Sequence, residues 1–149
     1  MGLEINNLLE LWKTQNISID IINQDYIDEV QISKHLKLPQ DFIDFYKIVN
    51  GMKSLYPDEI DDEGFLFYPV ENIIALNLEF ERDDLGLNET TFIFAEYMHK
   101  SWWYGFRLID SNIYEIGIIT DYDRFKKITN SLAEFIVLYV ENSPLLYEF

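Results

Sequence analysis

Residues 91–120 hold three aromatic and β-branched runs in quick succession: TFIFAEY (91–97), WWYGFRLI (102–109) and IYEIGIIT (113–120). Short polar breaks separate them, which spells an antiparallel meander. The rest of the 149-residue chain has to cover the faces of that sheet. If DSN (110–112) is a three-residue hairpin loop, Ile109 pairs with Ile113 and the register follows. Arg107 then lies opposite Glu115, Gly105 opposite Gly117 and Trp103 opposite Ile119. A two-residue loop would instead set Arg107 against Tyr114, so the charge match selects the first register. On the other face, Trp102, Tyr104, Phe106 and Leu108 meet Tyr114, Ile116 and Ile118. That face is unbroken apolar surface and is expected to be the core face. The two glycines leave a dip on the opposite face. Glycine inside a strand marks a bulge or a close approach. Either a helix of the same chain fills the dip, or it is a partner groove with Trp103 and Arg107 on its wall, residue types favoured as interface anchors.

The first half of the chain has a different period. Ile5, Leu8, Leu9 and Trp12 form one face of a helix over 3–13. Residues 16–24 alternate weakly and read as extended. Asp25 is placed to cap a second helix running to about Lys37, with Tyr26, Ile27, Val30 and Leu36 as its stripe. In LPQDFIDFYKIVNG (38–51), Pro39 suits a helix start, where its missing N–H costs nothing. Phe42, Phe45, Tyr46 and Val49 make the buried stripe, and Asn50-Gly51 is a stop able to take positive φ. FLFYP (65–69) reads as a short strand, and Val70, Ile73, Ile74 and Asn77 or Leu78 as a helix over 70–84 closed by charges and Gly86. A last helix begins at Ser131, which has capping-box spacing to Glu134, and ends at Pro144. Helices first, strands together and a closing helix predict an α+β fold: an antiparallel sheet of about four or more strands packed with helices. The length, without repeats or linker-like segments, predicts one domain over 1–149.

Composition narrows the chemistry. There are 11 Lys plus Arg against 27 Asp plus Glu, a formal charge of −16. Such a chain repels phosphate backbones, so no nucleic-acid partner is expected. No apolar run approaches a membrane span and the N-terminus lacks the pattern of a secretory signal, so a cytoplasmic protein without membrane contact is expected. The absence of cysteine removes disulfides, thiolate metal sites and a Cys nucleophile. Among the motifs there is no GxSxG elbow and no Gly-rich phosphate loop, and the two histidines, His35 and His99, form no triad by sequence adjacency. EIDDEG (59–64) starts like a calcium loop, but the twelfth position, which needs a bidentate Glu, is Val70. Neither a metal nor a cofactor site is expected, and the stretch reads as a solvated acidic loop.

Four stretches together resemble one family. LPQDFIDFYKIVNG resembles the signature helix of the SUKH superfamily, which begins Leu-Pro and ends Asn-Gly. FLFYPVENII is similar to its next strand and short acidic helix, FIFAEYMHKSWWYGFRL to its strand–loop–strand unit, and SLAEFIVLYVEN to its closing helix. The order holds over about residues 25–141. The resemblance implies a non-enzymatic binding domain with no catalytic residues and no cofactor. Members include bacterial immunity proteins that neutralise toxins, often nucleases or deaminases, and fungal regulators of cell-wall glucan synthesis. One departure is the loop EYMHKS (96–101), which in the family is usually rich in Gly and Asp. The expected activity is therefore immunity by binding a basic toxin domain, with a regulatory scaffold as the alternative. The expected contact residues are Trp103, Arg107 and Glu115 with the acidic group Asp58, Glu59, Asp61, Asp62 and Glu63.

Overall fold

The computed structural model describes residues 2–53, 61–82 and 90–148. Helices α1 (Gly2–Thr14), α2 (Gln24–Lys34) and α3 (Gln40–Ile48) come first. Strands β1 (Phe65–Phe67) and β2 (Ile74–Ala75), the short helix α4 (Leu76–Glu79), then β3 (Thr91–Tyr97), β4 (Trp102–Leu108), β5 (Tyr114–Asp121) and β6 (Arg124–Thr129) follow. Helix α5 (Leu132–Val140) and a 3-10 turn, Pro144–Tyr147, close the chain. The strands form one antiparallel sheet in the order β1-β3-β4-β5-β6, with β2 on the same edge of β3 as β1. The fold is the expected α+β arrangement.

The β4–β5 register is the one the charge match selected. Arg107 faces Glu115, Gly105 faces Gly117 and Trp103 faces Ile119. Tyr104, Phe106, Tyr114, Ile116 and Ile118 are all buried on the core face, where α1, α2, α3 and α5 pack. The helical stripes land there too: Ile5, Leu8 and Trp12; Ile27 and Val30; Phe42, Phe45 and Tyr46; Phe135, Ile136 and Tyr139. Aromatic rings meet edge to face through this core, as Phe42 does with Phe94 and Tyr114. Such pairs add about 1 kcal/mol each beyond simple burial.

Several boundaries differ from the sequence reading, each for a local reason. Asn23, not Asp25, caps α2, because its side chain accepts from Tyr26 N at 2.9 Å. That helix ends at Lys34 rather than near Lys37, where His35 takes the left-handed conformation and Leu36 N bonds back to Gln31 O. Helix α5 ends four residues before Pro144. Asn142 turns left-handed, and Ser143 N reaches Leu138 O at 2.9 Å. The expected helix over 70–84 is instead a 3-10 turn (Val70–Asn72), β2 and the single turn α4, with Gly86 outside the described residues. Here the chain passes the sheet edge. Val70 and Ile73 enter the main core, whereas Leu76 belongs to a cluster on the opposite face. One helical face could not serve both. Strand β6 has no counterpart in the sequence reading. It is an edge strand whose Arg124, Lys126 and Lys127 mask its alternation, and charge on an edge discourages unwanted pairing.

The Asn50-Gly51 stop is a joint as well as a helix end. Asn50 Oδ1 accepts from Val70 N at 2.8 Å and its Nδ2 donates to Glu71 at 3.0 Å. Met52 N bonds to Phe67 O, and the Tyr46 hydroxyl donates to Tyr68 O. Gly51 has φ of +61°, and a Cβ there would sit 2.4 Å from Tyr68 O. Gly51→Ala therefore meets both left-handed strain and a backbone clash. The expected cost is about 3 kcal/mol or more, read as a lower urea midpoint with an unchanged slope. A loss below about 1 kcal/mol would mean that the two segments part without consequence.

Candidate functional site

The sheet has a second, smaller packed face. Tyr68, Leu76, Ile93 and Ile119 are buried there, with Leu66, Ile74, Phe80, Trp103 and Phe125 packed around them. The dip above Gly105 and Gly117 is filled. A Cβ on Gly105 would lie 2.7 Å from Ile119 Cδ1 and from Phe92 O, and one on Gly117 would lie 2.6 Å from Lys126 O and Phe125 Cε1. Neighbouring strands press in because register shifts follow Ile93 in β3 and Ile116 in β5, beside both glycines. Side chains of the sheet itself close the dip, rather than a helix or an open groove. Trp103 and Trp102 are both half-buried, on opposite faces. Trp103 packs edge to face on Phe80.

Arg107 and Glu115 form the expected ion pair at 2.9 Å. Glu115 also meets Lys127 at 3.5 Å, and the Arg107 guanidinium lies 4.2 Å over the Phe125 ring. The hydrogen bond from Arg107 holds the Glu115 carboxyl below the usual carboxylate range, against a smaller opposing effect of burial. Arg107, Glu115 and Phe125 are half-buried and, with the exposed Lys127, mutually engaged, so they form a braced wall.

Toward the β1 and β2 edge the same face opens into a cleft of about 340 Å³. Lys34, Tyr68, Glu71, Glu79, Glu96 and Lys100 line it. A bulge in β3 builds the cleft. Ile93 pairs with Gly105 and Ala95 with Tyr104, so Phe94 is the extra residue. Strict alternation from Phe92 would send Glu96 to the core face; the bulge turns it outward, opposite Trp103 and Leu66. Glu96 is only 8% exposed and accepts from the Tyr68 hydroxyl at 3.0 Å. Burial, with the Glu96 charge adding to it, pushes the Tyr68 hydroxyl far above its ordinary pKa. The buried Trp103 Nε1 makes no hydrogen bond of normal geometry. Lys34 donates to Ile73 O at 2.9 Å, and desolvation lowers its pKa, partly offset by Glu71. Lys100 pairs with Glu79 at 2.9 Å from a turn in which Met98, His99 and Lys100 all have positive φ. Glycine and Asp or Asn take that conformation most easily, so EYMHKS carries backbone strain that a Gly-rich loop would avoid.

The acidic group is divided by the fold. Asp58 and Glu59 lie outside the described residues. Asp62 and Glu63 are exposed. Asp61 is 5% exposed and is a structural pin, contrary to the reading of this stretch as a solvated loop. Its Oδ1 accepts from Glu63 N at 2.9 Å and Phe65 N at 2.8 Å, while Oδ2 accepts from the Tyr139 hydroxyl. Trp12 Nε1 in turn donates to Tyr139 at 2.9 Å, so Asp61 ties α1, β1 and α5 together. Sequence reasoning missed Glu96, Glu71, Glu79 and Lys34. The neighbouring Asn50-Gly51 was visible, but nothing local showed that Glu96 turns outward.

Burial raises the Asp61 pKa, against the lowering effect of its hydrogen bonds. The folded chain then holds that proton more tightly than the unfolded chain. Its contribution to stability is complete below the unfolded value and is lost as pH rises through the folded one. Asp61→Ala is expected to cost about 2–4 kcal/mol, and Asp62→Asn less than about 0.5 kcal/mol. Asp61→Asn, which keeps the Oδ1 acceptor, should flatten the fall of stability with pH above about pH 4. Chemical denaturation across pH tests all three; equal effects at 61 and 62 would contradict the pin.

Among the described residues no helix is long and apolar enough to cross a membrane. No curated protein matches the chain. A family model, described as SMI1 / KNR4 family (SUKH-1), matches residues 21–137. That span holds α2, α3, the Asn50-Gly51 joint, all six strands and the first turns of α5, and so takes in the first three family-like stretches whole and most of the fourth. The chain therefore belongs to the SMI1 / KNR4 family (SUKH-1).

Proposed function

We propose that this protein is a non-enzymatic immunity protein that binds a cognate toxin domain, of nuclease or deaminase type, and blocks its active site or substrate path. The observation that carries the reading is its uncompensated acidity. Against a formal charge of −16, the ion pairs seen among the described residues are Lys100–Glu79, Arg107–Glu115 and Lys127–Glu115, which involve two of the 27 acidic side chains. Most carboxylates face solvent, and their summed field attracts a basic surface from beyond contact distance. Domains that grip nucleic acid present such a surface. Family membership supplies the context, because immunity proteins of this family work by binding.

The contact surface in this reading is the outer face of the sheet, with Trp103, Arg107 and Glu115 as its braced wall, and Asp58, Glu59, Asp62 and Glu63 as the steering charge. Asp61 contributes by holding the 61–65 turn, and with it Asp62 and Glu63, in place. Co-expression with the product of the adjacent gene should yield a stable complex in which the toxin is inactive. The association rate should fall at least about tenfold between about 0.05 M and 0.5 M salt, and neutralising Asp58, Glu59, Asp62 and Glu63 together should slow it at low salt. A complex whose association rate ignores salt would remove the electrostatic basis, and a toxin that stays active when bound would remove the immunity role.

A further inference from the structure

We propose that the outer-face cleft is the docking site for an arginine side chain of the protein partner. This rests on the partner-binding reading above and names the contact that would give it specificity. The argument starts from Glu96. Its carboxylate is more than nine-tenths buried, yet among the described residues no Lys, Arg or His comes within ion-pair distance of it. Its one hydrogen bond among the described residues comes from a neutral hydroxyl, that of Tyr68, on Oε1. Among the described residues the second oxygen has no donor, and the side chain lines the cleft, onto which that oxygen opens. A buried carboxylate in that condition is costly unless a cation completes it.

The cations already present are committed elsewhere. Lys34 is held by Ile73 O and Lys100 by Glu79. With Glu71 and Glu79 added, the cleft carries three carboxylates against those two ammonium groups. Among the described residues no three acidic or histidine side chains converge closely enough to hold a metal ion. The missing cation is therefore a larger one with spread donors, and about 340 Å³ admits it. A guanidinium is more weakly hydrated than an ammonium and presents five donors in a plane, so it loses less on entering a half-buried site and satisfies a carboxylate oxygen directly. The turn at Met98–Lys100, with three left-handed residues in a row, holds Lys100 at the cleft mouth as a displaceable partner of Glu79.

The test uses the full isotopically labelled chain and N-acetyl-L-arginine methylamide as the probe, followed by NMR at constant ionic strength. Saturable shifts are expected at the Tyr68 and Glu96 amides and at the Trp103 indole N–H. The citrulline counterpart, which has the same shape without the charge, should produce none, and the lysine counterpart should bind more weakly. Glu96→Gln keeps the acceptor for Tyr68 and should weaken binding at least about tenfold. Lys100→Gln, an exposed change that frees Glu79, should strengthen it several-fold, so the answer does not depend on one variant folding. Absence of saturable shifts at these positions, equal shifts with citrulline, or indifference to both substitutions would overturn the proposal. The two readings fail separately. A cleft that ignores arginine leaves a toxin partner possible through other contacts, whereas loss of the toxin partner leaves an arginine-binding cleft intact.

Discussion

The joint between the end of α3 and the strip Tyr68–Glu71 is the contact on which the rest of the molecule turns. Asn50 supplies an acceptor to Val70 N and a donor to Glu71, while the missing side chain of Gly51 lets Tyr68 O come close. Two results follow from this one contact. The helical layer is tied to the edge of the sheet, with Tyr46 and Met52 bonded to the same strip. The edge is also split, because the chain between β1 and β2 must leave the ladder to meet Asn50. The gap between β1 and β2 exposes Tyr68, Glu71 and Asn72 to the cleft. A pair of residues that reads in sequence as a helix stop thus shapes the candidate binding surface.

Buried or half-buried carboxylates answered by tyrosine hydroxyls recur through the structure. Asp61 is met by Tyr139, Asp41 by Tyr114 and Glu96 by Tyr68. In each case burial drives the tyrosine pKa upward, so the hydroxyl stays a donor across the working range of pH. The surroundings separate them. Asp61 has two backbone N–H donors besides its tyrosine, and Tyr114 accepts in turn from Leu132 N, which seats α5. These two pin elements together. Asp41 Oδ1 and, among the described residues, the second oxygen of Glu96 have no donor, but only Glu96 of the three lines this cleft, which suits a contact to be completed from outside.

Much of the architecture was legible because it rests on short-range patterns. The hairpin register followed from the Arg107–Glu115 match and the paired glycines, and the core faces of α1, α3 and α5 followed from helical spacing. The capping box at Ser131 was visible too. Its hydroxyl accepts from Glu134 N, although the glutamate reaches back to Asn130 N rather than to Ser131 N. What escaped lies where one stretch serves two environments. Residues 70–79 cross the sheet edge and feed both cores, so their apolar spacing fits no single helix face. Strand β6 has one side free, and the charges that protect a free edge also erase its alternation.

Sequence alone determined the α+β class, the register of the central hairpin and the family, since each depends on residue types at fixed spacings along one segment. Only the tertiary structure decided which acids are surface and which are interior. Asp61 and Asp62 are neighbours in an acidic run, but Asp61 is buried because Tyr139, 78 residues away, reaches its carboxylate. Glu96 lies in an apolar strand and turns outward because Phe94 bulges. The physical reason is common to both. Burial of a charge depends on what arrives from elsewhere in the chain to bond it, and a one-residue shift in a ladder reverses which face receives it.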